Sequence, residues 1–135
     1  MIVFVDTSAL LGVLDRADVA NPGLSEAMGG LDRDRIVTHG YVAAETVSLV
    51  RRRLGSQAAV ELIDRLLPTI DVRPVDAELH GSALGEYRAA RAEGPSFVDR
   101  VSFAFMRREG ISIAFCVDRD FEAAGFRVIP EPSPR

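Results

Sequence analysis

Two short apolar runs in this chain each end on an aspartate. Ile2-Val3-Phe4-Val5 runs into Asp6, and Ile113-Ala114-Phe115-Cys116-Val117 runs into Asp118. Runs this short, with no polar position, read as strands buried on both faces, which is the habit of parallel sheets. Between them lie segments of helical period. One covers 9–15, and a weak one follows Asn21-Pro22-Gly23 and ends near Gly29-Gly30. A long helix covers 40–54 and is closed by Gly55, with Ala43, Val47, Val50 and Leu54 on its apolar face. Ser56 is expected to cap a helix through Leu67 that Pro68 stops. Asp76 caps one reaching about Arg91, and another runs from Phe97 to about Glu109 before Gly110. Further strands are expected at 35–38, 70–73 and 126–129, and the later apolar run extends over 111–117. This alternation predicts an α/β fold, a three-layer α/β/α sandwich around a mostly parallel central sheet. Ligands of such sheets bind beyond the carboxyl ends of the strands, where Asp6 and Asp118 stand.

The 135 residues suit one domain, expected over 1–130, with 131–135 as a flexible tail because three prolines deny it regular hydrogen bonding. Acids outnumber bases by 20 to 16, and every base is an arginine. A chain without lysine has no Schiff-base lysine and no phosphate-cradling P-loop lysine, so those chemistries are excluded. The single cysteine, Cys116, cannot form an internal disulfide, which points to an intracellular, cytoplasmic protein. No apolar run is long enough for a bilayer, and the first residues lack a basic signal head, so no membrane partner is expected. His39 and His80 have no zinc-like spacing and read as surface or interface residues. Tyr41, Tyr87 and the phenylalanines read as core.

Four carboxylates have unusually apolar neighbours. Asp6 and Asp118 end the two runs, and Asp120 follows two residues later. Glu45 shares a helical face with Val42 and Leu49, and Asp99 lies on a stripe with Phe103 and Met106. Each aspartate also has a plain structural reading. Asp6 suits a helix cap, Ser96 and Asp99 have capping-box spacing, and Asp118 with Asp120 suits a turn. Glu45 is harder to place that way, since an unpaired carboxylate on a semi-apolar face costs several kcal/mol in desolvation. Gathered at one sheet edge, Asp6, Glu45, Asp99 and Asp118 would repel and raise one another's pKa unless a cation met them. All-oxygen ligands favour Mg²⁺ or Mn²⁺ over zinc. The Thr7 and Ser8 hydroxyls suit a phosphate oxygen or metal water, and equally a local cap. Arg51-Arg52-Arg53 and Arg107-Arg108 suit phosphates, and more ordinarily suit the C-terminal ends of helices.

Taken in order, Val5-Asp6-Thr7-Ser8-Ala9, Ala44-Glu45, Ser96-Phe97-Val98-Asp99, Val117-Asp118-Arg119-Asp120-Phe121 and the late Gly125-Phe126-Arg127-Val128-Ile129 form a recognisable set. The chain resembles the PIN-domain ribonucleases over its whole length, and within them the VapC-type toxins of type II toxin–antitoxin pairs. The resemblance implies a metal-dependent endoribonuclease with the catalytic quartet Asp6, Glu45, Asp99 and Asp118, leaving 5′-phosphate and 3′-hydroxyl ends. Asp6, Asp99 and Asp118 are the expected metal ligands for Mg²⁺ (or Mn²⁺). Glu45 either ligates or orients water, and Thr7, Ser8 and Asp120 are auxiliary. The implied partners are an RNA substrate, a second copy in a homodimer, and a cognate antitoxin. The antitoxin would wrap an apolar groove walled by 9–14 and 42–54 and reach the acidic site with an arginine. One departure is Cys116, where such toxins usually carry threonine. Two other readings compete. A haloacid-dehalogenase-like phosphatase needs a second aspartate where this chain has Ser8, and a lysine it lacks. A non-catalytic PIN-fold binding module has no reason to concentrate four carboxylates.

Overall fold

A computed structural model of the chain describes residues 1–31 and 35–132. Five strands, β1 (Ile2–Val5), β2 (Arg35–His39), β3 (Asp71–Arg73), β4 (Ile113–Phe115) and β5 (Arg127–Ile129), form one sheet in the order β3-β2-β1-β4-β5. Every pairing is parallel. The helices are α1 (Thr7–Leu14), α2 (Asn21–Gly29), α3 (Gly40–Leu54), α4 (Ser56–Glu61), α5 (Ala77–Ala89), α6 (Phe97–Glu109) and α7 (Arg119–Ala123). The expected sandwich is therefore present. β1 shows why it is layered: Val3 and Val5 pack among Leu10, Leu24 and Ile36, while Phe4 packs among Val101, Phe105 and Phe121. Period-2 side chains thus feed two cores from one strand, with α1 and α2 on one face and α5, α6 and α7 on the other. A smaller cluster around Val50, Ala59 and Leu62 joins α3 and α4 to the flank of α1.

The strand order reverses direction at β1. From there the chain builds outward through β2 and β3, then returns to lay β4 and β5 on the other side. That reversal opens a crevice between the carboxyl ends of β1 and β4, the place where ligands bind in such sheets.

Several local expectations need correction. Ser56 is not a cap. Gly55, at φ +96°, ends α3 and opens α4 in a single residue, so Ser56 is already helical and no side chain caps α4. Beyond Glu61 the helix widens into a π turn (Leu62–Leu66) and closes as a 3₁₀ turn (Leu67–Thr69). Of the expected apolar face of α3, Val50 is fully buried and Ala43, Val47 and Leu54 are half-buried, while Val42 and Thr46 are the further fully buried positions. Thr46 can be buried because its hydroxyl is satisfied internally, 2.7 Å from Val42 O. Strand β4 pairs only over Ile113–Phe115, the length its neighbours can match. Helix α7 forms where Asp118 and Asp120 suggest only a turn. His39 is not on the surface but fully buried, at the end of β2. Of the expected tail, Glu131 and Pro132 are exposed and irregular, and 133–135 lie outside the described residues. No helix of the described residues is long and apolar enough to cross a membrane.

Candidate active site

The parallel pairing of β1 with β4 sets the site. Asp6 N–H donates to Phe115 O at 3.0 Å, so the two chains leave the sheet side by side. Asp6 then caps α1. Its Oδ2 accepts from the Ser8 amide at 3.2 Å and from Ser8 Oγ at 2.7 Å. Ser8 Oγ in turn accepts from Val117 N–H at 3.0 Å, which clips the loop after β4 to the loop after β1. Ser8 thereby fixes Asp6 against the segment that carries Asp118. The Thr7 hydroxyl points the other way, buried against α3, 3.5 Å from Val42 O and 3.1 Å from Thr46 Oγ1.

Asp118 caps α7 through its Oδ1, which accepts from Asp120 N–H at 2.9 Å. Asp99 and Ser96 form the expected capping box of α6. These structural roles coexist with convergence, because a cap occupies only part of a carboxylate's accepting capacity. One carboxylate oxygen each from Asp99, Asp118 and Asp120 lies within 4.8 Å of the others. Asp6, only 4% exposed, interacts electrostatically with Asp118 and Glu45, and Asp99 with both Asp6 and Asp118. Residues 93 positions apart in sequence, Asp6 and Asp99, thus meet at one rim of the sheet.

Their chemistry shows the strain of that meeting. Burial, with help from Asp118 and Glu45, lifts Asp6 to a pKa of about 6, although both hydrogen bonds from Ser8 oppose the rise. Burial, then Asp6 and Asp118, lifts Asp99 to about 7 against the pull of its Ser96 cap. Cys116 beside them is pushed far up, again chiefly by burial and then by the same carboxylates, so its thiol stays protonated. Among the described residues no arginine forms an ion pair with Asp6, Glu45, Asp99, Asp118 or Asp120. A hard dication is the group that fits: the donors are all carboxylate oxygens, and among the described residues none of them has a paired counter-charge. An opening of about 450 Å³ runs from Asp118 past Arg119 and Val117 to Val19 and Pro130, so the rim is reachable by a sizeable ligand.

These features decide the family when set beside known proteins. The family described as "PIN domain" matches residues 3–127. The chain belongs to the PIN-domain family. Within it, this PIN domain is 39% identical over 132 residues to the 23S rRNA-specific endonuclease VapC20 of Mycobacterium tuberculosis, covering 96% of this chain and 99% of that protein. The crystal structure of the M. tuberculosis VapC20, a sarcin-ricin loop cleaving toxin, superposes with a TM-score of 0.81 at 34% identity, covering 92% of this chain and 95% of that one. VapBC2 from Rickettsia felis, bound to promoter DNA, shares the fold at a TM-score of 0.71 and 13% identity, over 95% and 97% of the two chains. This PIN domain is thus of the VapC toxin type.

Three buried polar residues beneath the helices of this rim, His39, Thr46 and Ser102, carry little signal in the sequence. Thr46 and Ser102 look like unremarkable helix residues, and His39 gave no metal-like spacing. Their signal was weak but present: polar residues within apolar stripes are buried only when partnered. Arg107 and Arg108 serve the structure. Arg107 donates to Ala124 O at 3.0 Å and lies over the Phe126 ring, and Arg108 pairs with Asp76 at 2.7 Å. Arg51, Arg52 and Arg53 are exposed in the last turn of α3.

Proposed function

We propose that this VapC-type PIN domain is a Mg²⁺- or Mn²⁺-dependent endoribonuclease, and that its substrate is the sarcin-ricin loop of 23S rRNA. The observation that carries the reading is the gathering of Asp99, Asp118 and Asp120 beside buried Asp6, with no arginine among the described residues paired to them. A bound dication supplies an acidified water and neutralises charge on the scissile phosphate. In this assignment Asp6, Asp99 and Asp118 hold it, with Asp120 as an added oxygen donor. Glu45, on the α3 side of Asp6, orients the attacking water. Ser8 keeps Asp6 from rotating away, since one Asp6 oxygen receives both of its hydrogen bonds. Arg119 and the opening beside Asp118 provide the entry for the strand. The substrate assignment rests on likeness to the mycobacterial enzyme along nearly the whole chain.

The same reading assigns a cognate antitoxin, a homodimeric state and a cytoplasmic setting. For the antitoxin, α1 and α3 support the expected groove: Leu11, Leu14, Val47 and Leu54 are only partly buried between them. The test is incubation of purified protein with a sarcin-ricin oligonucleotide and with intact ribosomes, with Mg²⁺, with Mn²⁺ and with chelator. A single cut in the loop that chelator abolishes is expected. Intact RNA in every metal condition overturns the proposal.

A further inference from the structure

His39 ends β2 with its side chain wholly buried, its ring 5.8 Å from that of Phe4 and 5.7 Å from that of Phe105. Its Nδ1 accepts from Tyr41 N–H at 3.2 Å and Val42 N–H at 3.4 Å, capping α3. A nitrogen that accepts carries no proton, so the ring proton sits on Nε2. Nε2 is 2.8 Å from Ser102 Oγ on α6, and that hydroxyl is 3.1 Å from Val98 O. One neutral tautomer therefore satisfies every group: Nε2–H donates to Ser102, and Ser102 donates to Val98. Burial holds the ring neutral, with its pKa lowered to about 4.

The two ends of this chain of bonds are informative. Val42 lies one helical turn before Glu45 on α3, and Ser102 lies one turn after Asp99 on α6. We infer that His39 and Ser102 form a positioning strut that sets the first turn of α3 against α6, and so fixes the separation of Glu45 and Asp99 across the acidic rim. Neither residue touches the reacting atoms; each acts through the helix it holds. Packing alone constrains this pairing less, because apolar side chains slide where a buried hydrogen bond does not. The inference rests on the assignment of Glu45 and Asp99 to the active site.

The test compares wild type, Ser102→Ala, His39→Asn and the double variant for RNA cleavage and for Mn²⁺ binding by calorimetry. Asparagine at position 39 can still cap α3 but is too short to reach Ser102. Ser102→Ala removes one hydroxyl and is expected to fold. Ile36→Val, a change in the core on the opposite face of β2 from His39, supplies a matched loss of melting temperature. The strut predicts that kcat falls about tenfold in each single variant with KM for RNA unchanged, because misplacement of reacting groups acts on the chemical step. Mn²⁺ affinity should weaken by a smaller factor, and the double variant should be no worse than His39→Asn alone. A kcat within twofold of wild type in Ser102→Ala, losses that multiply in the double variant, or an equal loss in Ile36→Val overturns it. If wild type binds Mn²⁺ but cleaves no RNA, the failure is that of the nuclease reading, and the Mn²⁺ affinities still decide the strut. Wild type that does neither removes both.

Discussion

Asp6 and Asp76 do the same local job in opposite settings. Each sits in extended backbone at a helix N-terminus and accepts from an amide of the first turn, Ser8 for Asp6 and Leu79 for Asp76. Asp76 belongs to a surface ladder in which arginines and acids alternate: Arg35, Asp71, Arg73, Glu109, Arg108 and Asp76. There the Leu79 amide and then Arg108 hold Asp76 below its ordinary pKa, and Arg35 and Arg73 do the same for Asp71. Asp6 is buried and faces Asp118 and Glu45 instead, and burial first, then those two charges, raises its pKa to about 6. A helix cap is therefore silent about function. What separates the two regions is whether the chain supplies its own counter-charge. The ladder is closed and structural; the rim has no such partners among the described residues, and its carboxylates are free to take a cation.

The largest effect that separates them is on turnover. Asp6→Asn and Asp99→Asn should each lower cleavage by a hundredfold or more, on the order expected when a group stabilising developing charge is lost. Both should nevertheless melt no lower, and without metal Asp6→Asn should melt higher. Asparagine caps as well as aspartate, and the substitution removes an uncompensated buried charge. A fall in both activity and melting temperature would make Asp6 an ordinary structural cap.

Next in size is the pH dependence of stability. An acid whose pKa is raised by folding holds its proton more tightly in the folded chain. In chelator, stability should therefore fall as pH rises from about 4 through 6 for Asp6 and through 7 for Asp99. For Asp6 the fall amounts to roughly 2–3 kcal/mol. Saturating Mn²⁺ should flatten or reverse that slope, since it binds the ionised form. The ladder acids have lowered values and contribute in the other sense, losing their stabilisation only as pH drops below about 4. Chemical denaturation from pH 3.5 to 7.5, with and without Mn²⁺, resolves the two windows.

Smaller still is the cost of opening the ladder. Asp76→Asn keeps the cap and loses the Arg108 pair, so cleavage should be unchanged and melting only slightly lowered, the more so at low salt. The least effect is expected at Cys116. Its raised pKa and burial should leave it unalkylated by iodoacetamide at pH 8 in the folded protein, and Cys116→Ser should cleave at near wild-type rate.

Much of this was legible in the sequence, for physical reasons that differ by element. β1 and the core of β4 were visible because fully apolar runs can only be buried, and α6 because Ser96 and Gly110 mark both of its ends. Asp6 and Asp118 were legible because an aspartate after a buried strand must emerge at the sheet's edge. Helix α7 was not, since five residues carry no period and Asp118 caps a turn and a helix start alike. The position of Asp120 beside Asp118 and Asp99 is set by the Asp118 cap, which no spacing in the sequence reveals. The burial of Thr46 in α3 and that of His39 were hidden for one reason. Both depend on hydrogen-bond partners far away in the chain, Thr7 for Thr46 and Ser102 for His39.

A rim whose acids have no paired cation among the described residues can be put to a single trial. Mn²⁺ is titrated calorimetrically into wild type and into Asp99→Asn at pH 6.5, in two buffers of different ionisation heat. Saturable binding with release of protons is expected for wild type, because Asp99 and Asp6 are partly protonated there, and it should be weakened and proton-poor in the variant. No saturable heat at millimolar Mn²⁺, or identical isotherms for the two proteins, would contradict a metal centre at this rim.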